Sequence, residues 1–224
     1  MSSFIIKIIA IVTMLMDHSG DVLVGHLSIL NIIGRIAFPL FAFQLVIGYQ
    51  HTRNFSKYCL RLFIFALISQ IPFGIMCYSF TQSYNILNVF FTLVIGVLVL
   101  KIYDCNLNYF IKLICIIALT AFAQLLNVDY QAWGVILVLF IYIFYNMNNK
   151  ILFIVLYPIL CIIRFIPYFT IIPLNILIWE IFFTIIPLFF MLLYNNKKGP
   201  SLKYFFYIFY PIHIIILDII LALK

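Results

Sequence analysis

The chain has 224 residues, 67% of them hydrophobic and only 8% charged, with a formal net charge of +7 and a mean hydropathy of +1.24. A soluble domain carries about a quarter charged residues, so this composition excludes a surface covered by water, and the continuity of the apolar runs excludes the alternating strands of a barrel. The excess of 13 Lys and Arg over 6 Asp and Glu falls mostly in short breaks between apolar runs, where it fixes topology and meets membrane lipid rather than nucleic acid.

The expected fold is all-α, a polytopic transmembrane helix bundle. A crossing takes about 20 residues, and the apolar runs predict nine, over 4–24, 27–49, 58–79, 85–103, 109–127, 132–147, 151–168, 171–194 and 204–222. The sixth run is short, and Pro158, Pro167, Pro173 and Pro187 blur the ends of the seventh and eighth, so eight to ten crossings are compatible. No linker rich in Gly, Ser or Pro interrupts the chain, so a single domain over 1–224 is expected. The first run ends in Asp17-His18 rather than a small-residue cleavage site and reads as a retained span.

Charge in the breaks orients the bundle. With the amino terminus cytoplasmic, the inner breaks carry or adjoin Arg53, Lys57, Lys101, Lys112, Lys150, Lys197, Lys198 and Lys203, whereas the outer breaks near 25–26, 80–84, 128–131 and 169–170 contain no Lys or Arg. That asymmetry predicts an inner amino terminus and an outer carboxyl terminus, with Lys224 as the basic residue on the far side.

Several runs carry polar or small residues at helical spacing, which marks faces turned to protein or water. Lys7, Ala10, Met14, Asp17 and Asp21 share a broad face of the first, with His18 one turn beyond Met14. Asn31 and Arg35 lie four apart in the second. Asn85, Asn88, Thr92 and Gly96 form a stripe in the fourth, read equally as helix–helix glue or as a pocket wall. Thr120, Gln124 and Asn127 do the same in the fifth, and Glu180 and Thr184 in the eighth, where Arg164 of the preceding run is a candidate partner for Glu180 that spacing alone does not establish.

Charges at membrane depth are costly and mark function unless they are paired. In antiparallel neighbours, Asp17, His18 and Arg35 reach similar depth. They form either a structural ion pair or a catalytic group in which an imidazole takes a proton and a carboxylate orients it. His213, mid-run beside Pro211, Tyr207 and Tyr210, is either a packed core histidine or a pocket wall. Lys57 and Arg61 are either snorkelling anchors or phosphate ligands. His26 and His51 read as interfacial residues. The five cysteines (Cys59, Cys77, Cys105, Cys115, Cys161) lack metal-like spacing, and no Walker loop, dinucleotide fingerprint or HExxH motif occurs. Asp17, His18 and His213 lack a clean zinc spacing, so no metal is expected.

The sequence resembles the TraX family. The resemblance rests on Ile9-Ala10 through Met14, Asp17-His18, the block Gly34-Arg35-Ile36-Ala37-Phe38-Pro39-Leu40-Phe41-Ala42-Phe43, Gly48-Tyr49 and His51-Thr52-Arg53. It continues through Tyr58 with Arg61-Leu62, Ser69-Gln70-Ile71-Pro72-Phe73, Asn88-Val89-Phe90-Phe91-Thr92-Leu93, Asp129-Tyr130 with Gly134, and Phe206 to His213. Residues 135–200 match only as hydrophobic spans. One departure is Ile47, where the family often has an acidic residue before the glycine.

The resemblance implies a multi-pass protein of the bacterial inner membrane, connected with acetylation of the amino terminus of conjugative pilin and akin to membrane acyltransferases that use a cytosolic acyl-CoA, such as acetyl-CoA. On that basis His18 would take the acceptor proton, Asp17 would orient the imidazole, and Arg35 would stabilise the oxyanion or position the donor. Arg53, Lys57 and Arg61 would hold the coenzyme A phosphates, and Asn88, Thr92, Tyr210 and His213 would line the pocket. The acceptor would be an amine or hydroxyl on a peptide, glycan or lipid. The alternatives are a small proton-coupled transporter and a structural or assembly protein; no internal repeat favours the transporter.

Overall fold

The computed structural model describes residues 1–25, 27–81, 84–147, 149–200 and 203–223, so His26 and Lys224 lie outside the described residues. In chain order the helices are α1 (Ser3–Ser19), a π-helical turn (Gly20–Val24), α2 (Ile29–Gly34), α3 (Ala37–Gln50), α4 (Phe55–Thr81), α5 (Val89–Asp104) and α6 (Tyr109–Leu125). They continue with α7 (Gln131–Met147), α8 (Lys150–Phe165), a short 3-10 turn (Ile166–Tyr168), α9 (Leu174–Ile185), α10 (Pro187–Leu192) and α11 (Lys203–Ala222).

Helix occupies all nine predicted runs, but not all to the same length. Among the described residues six helical spans are long and apolar enough to cross a membrane: Ser3–Val24, Ile29–Gln50, Phe55–Phe80, Lys150–Tyr168, Leu174–Leu192 and Tyr204–Ala222. The protein is therefore an all-α, multi-pass membrane bundle with six apolar crossings among those residues. The other three helices, α5, α6 and α7, have 16, 17 and 17 residues, about 24–26 Å long and at the short edge of a crossing.

The helix ends follow from local chemistry. Ser2, Asn88, Asn108 and Asn149 cap α1, α5, α6 and α8 by accepting a backbone N–H of the first turn, which satisfies a donor with no partner inside the helix. The predicted second run breaks in two at Arg35-Ile36. Pro39 has no N–H to give the Arg35 carbonyl, and the chain tightens there through Arg35 N to Ile32 O (3.3 Å) and Ile36 N to Ile33 O (3.2 Å).

The chain divides into two compact units, residues 1–44 with 144–224, and residues 45–143. In the first, α1 packs against α2 and α11, and α9 against α2 and α8. In the second, α5 packs between α4 and α6, around a core of Ile95, Val99, Ala123, Val128 and Val135. A β-bridge joins Leu87 to Val128, with Leu87 N donating to Asn127 O at 3.1 Å and Asp129 N to Leu87 O at 2.7 Å. At the other end of that unit, Asp104 accepts hydroxyl hydrogen bonds from Tyr49 (2.8 Å) and Tyr142 (2.7 Å), tying α3, α5 and α7.

Candidate active site

The site grows from the end of α1. The π turn, closed by Gly25 N donating to Gly20 O at 2.8 Å, widens the helix just past His18. The N-terminus of α2 then folds back onto it. Ser28 and Asn31 form a reciprocal capping box, and the same Asn31 Nδ2 reaches across to Asp17 O (2.9 Å), Asp17 Oδ1 (3.3 Å) and Asp21 Oδ1 (2.8 Å). Asn31 is 1% exposed, so one amide joins the α2 cap to both carboxylates of the α1 end. The approach requires glycines: a Cβ on Gly20 would lie 2.7 Å from Ser28 Oγ, and one on Gly34 would lie 2.6 Å from Asp17 Cγ. Gly34→Ala is accordingly expected to cost about 1–3 kcal/mol by overpacking, because the nearest atom to the new methyl is Asp17 Cβ itself, read as a lower thermal midpoint in detergent.

His18 meets His213 of α11. His18 Nδ1 and His213 Nε2 are 2.8 Å apart, with the rings 4° from parallel. His213 Nδ1 lies 2.9 Å from the Phe209 carbonyl. A carbonyl only accepts, so His213 Nδ1 carries the hydrogen. In the neutral ring Nε2 is then the acceptor. His18 Nδ1–H donates to it, and the His18 lone pair is placed on Nε2. The chain Phe209 O, His213, His18 therefore fixes one tautomer at each ring. His213 is buried and His18 half-buried. Tyr210 packs edge-on against both rings, at centroid distances of 6.0 Å and 5.6 Å.

Arg35 sits at the C-cap of α2, between two carboxylates: Nη2 is 3.7 Å from Asp17 Oδ1 and Nε is 3.4 Å from Glu180 Oε1. The expected counterpart of Glu180 is Arg164; the structure gives it Arg35 and places the Arg164 guanidinium over the Phe165 ring. Asp17 and Arg35 thus meet, as their depths imply. The Asp17 carboxylate bonds to Asn31 and Arg35, and the imidazole partner of His18 is His213. Among the described residues no group of three or more His, Cys, Asp or Glu side chains is arranged to hold a metal.

The family model described as TraX protein matches residues 2–221. The chain belongs to the TraX family. A curated relative from Dichelobacter nodosus, named "Probable fimbrial assembly protein FimC, serogroup H1", is 33% identical over 235 aligned positions, covering 96% of this chain and 94% of that protein. An uncharacterised protein of Rickettsia prowazekii (strain Madrid E) is 33% identical over 86 positions, 38% of this chain and 33% of its own length. No solved structure matches. Membership places the chain among membrane acetyltransferase-like proteins.

In this TraX chain the remaining expected site residues belong to the second unit. Asn88 and Thr92 are 0% exposed. Asn88 caps α5 and donates to Ala66 O (2.8 Å) and Gln70 Oε1 (2.9 Å), while the Thr92 hydroxyl donates to Asp129 O. These bonds use the polar groups for holding helices together, the glue reading of that stripe. Arg53 and Lys57 are exposed beside Asn54, which accepts from Lys57 N at 2.9 Å, and Arg61 lies over the Tyr58 ring at 5.6 Å. In the sequence Asn31 shows only as a member of a polar stripe, and Glu180 as a stripe member with Arg164 as its expected partner. The available signal for Asn31 was the Ser-x-x-Asn spacing from Ser28, a cap signature ahead of an apolar run.

Proposed function

We propose that this TraX protein is a membrane acyltransferase that moves an acetyl or acyl group from a coenzyme A thioester to an amine or hydroxyl acceptor, with His18 Nε2 as the general base. The observation that carries the reading is the His18–His213 contact of 2.8 Å anchored on the Phe209 carbonyl. It leaves a defined lone pair on a half-buried imidazole at the end of an apolar helix. With an amine acceptor, the nitrogen attacks the thioester carbonyl, a C–N bond forms and the C–S bond breaks. The acceptor proton passes to His18 Nε2 and then to the departing thiolate. His213 performs the orienting role expected of Asp17, and Tyr210 walls the two rings. Asp17 and Arg35 serve the site by fixing the α1–α2 crossing.

The name of the Dichelobacter relative ties that protein to fimbrial assembly. For this chain it supports an acceptor amine on a fimbrial subunit. The proposal places the amino terminus in the cytoplasm and the carboxyl terminus outside, with nine crossings. The absence of Lys and Arg from the predicted outer breaks supports it.

The test uses purified protein in nanodiscs with acetyl-CoA and a peptide bearing a free amino terminus. His213→Phe removes the acceptor for His18 Nδ1–H and is expected to lower kcat about 10²-fold with KM for the donor unchanged. His213→Gln, whose amide oxygen can accept, should retain much of the rate. Full activity in His213→Phe would overturn the assignment.

A further inference from the structure

We propose that Lys7 of α1 and Lys198 of the segment before α11 form a phosphate-binding pair that receives the phosphate at the head of the donor's pantetheine arm. This rests on the acyltransferase reading above.

The pair is built rather than incidental. The segment 195–199 is bonded to the start of α1 through Ser3 N to Lys197 O (2.8 Å), Phe4 N to Lys198 O (3.1 Å) and Asn195 N to Met1 O (2.9 Å). Gly199, at φ +71°, lets the segment lie close: a Cβ there would sit 2.8 Å from Phe4 Cβ. Lys7 is half-buried, with its ammonium 5.3 Å from the centre of the Phe206 ring, and it lies one helical turn beyond Phe4, whose N–H is bonded to the Lys198 carbonyl. Among the described residues neither lysine has a carboxylate partner. Two cations on segments that main-chain bonds hold together, one of them partly out of water, repel each other. A phosphate beside both ammonium groups removes that cost, and ammonium groups suit it as point-charge donors.

The position fits the donor. His18 follows Lys7 by eleven residues on the same helix, which is about 16 Å along the axis and about 20° around it, the same face. Ile11 and Met14 lie on the stripe between them. A phosphopantetheine arm has about thirteen bonds from phosphorus to sulfur and spans about 16 Å when extended. A donor anchored at Lys7 and Lys198 therefore brings its thioester to the depth of His18. This reconciles phosphates near the cytoplasmic side with a histidine toward the outer side. Arg53, Lys57 and Arg61, expected from the sequence to hold the phosphates, belong to the second unit.

The experiment uses the full chain in nanodiscs of neutral phosphatidylcholine and two probes, coenzyme A and pantetheine, which shares the arm and lacks the phosphates. Lys7→Met with Lys198→Gln is expected to weaken coenzyme A binding at least tenfold, leave pantetheine binding unchanged and preserve kcat at saturating acetyl-CoA. Lys7→Arg with Lys198→Arg should bind as wild type, which separates charge from folding. Unchanged coenzyme A affinity in the Met/Gln variant overturns the site. So does a loss confined to Arg53→Gln, Lys57→Gln, Arg61→Gln protein. An effect of the Met/Gln change only on binding to anionic-lipid nanodiscs, with coenzyme A affinity intact, assigns the pair to lipid headgroups and also overturns it. Wild-type protein that binds neither probe would instead remove the donor reading on which the site rests.

Discussion

His18→Ala is expected to lower acyl transfer about 10³-fold while leaving the fold and donor affinity in place, because a positioned general base contributes about 10²–10⁴-fold. The truncation removes the Nε2 lone pair and leaves His213 bonded to Phe209 O through its own Nδ1. His18 is half-buried at the end of α1, so its loss opens a small polar space rather than a cavity in a close-packed core. Two measurements check this. Single-turnover acetyl transfer should fall with unchanged coenzyme A affinity, and added imidazole should restore part of the rate by occupying the vacated space. A variant with full turnover would remove His18 from the chemistry and return the two histidines to a purely structural contact. A proton-coupled transporter predicts a different result, since His18→Ala would then abolish proton flux in liposomes without any acyl transfer to lose.

Much of this architecture is legible in the sequence, for identifiable reasons. Uninterrupted apolar runs can only be helices in a bilayer, and helix is present over every predicted run. Crossing number is less legible, because α5, α6 and α7 stop at 16 or 17 residues and apolar length alone does not distinguish a short crossing from a packed helix. The Asp17–Arg35 contact is legible, since it follows from the rise per residue of two antiparallel helices. The His18–His213 contact is not: 195 residues separate the two, and no local spacing encodes which helix lies beside α1. The same distance hides the role of Asp17. Adjacent in sequence, Asp17 and His18 point about 100° apart on a helix, so the carboxylate meets Arg35 and Asn31 while the imidazole meets α11. Asn88 and Thr92 show the limit of periodicity, which identifies a face turned to protein but not whether its polar groups bind substrate or a neighbouring carbonyl.

The largest stability effect is expected at Arg35. Glu180 has a side chain 5% exposed, and Asp17 one 16% exposed, and the same guanidinium lies between them. Arg35→Gln leaves both carboxylates without that cation. Breaking a buried pair from one side costs about 3–5 kcal/mol, most of it the uncompensated charge that remains. The expected result is a large fall in the thermal midpoint in detergent. Neutralising the more buried partner as well, in Arg35→Gln with Glu180→Gln, should recover most of it, whereas Glu180→Gln alone should cost less because Asp17 still faces the guanidinium. Arg35→Lys should rescue only partly, since a single ammonium cannot span two carboxylates as a planar fork does. The same variants separate the tie from an oxyanion role. If Arg35 holds α1, α2 and α9 together, the double variant regains rate together with stability. If Arg35 instead contacts the reacting carbonyl, the double variant regains its midpoint but stays slow, and the arginine moves from the frame of the site into its chemistry.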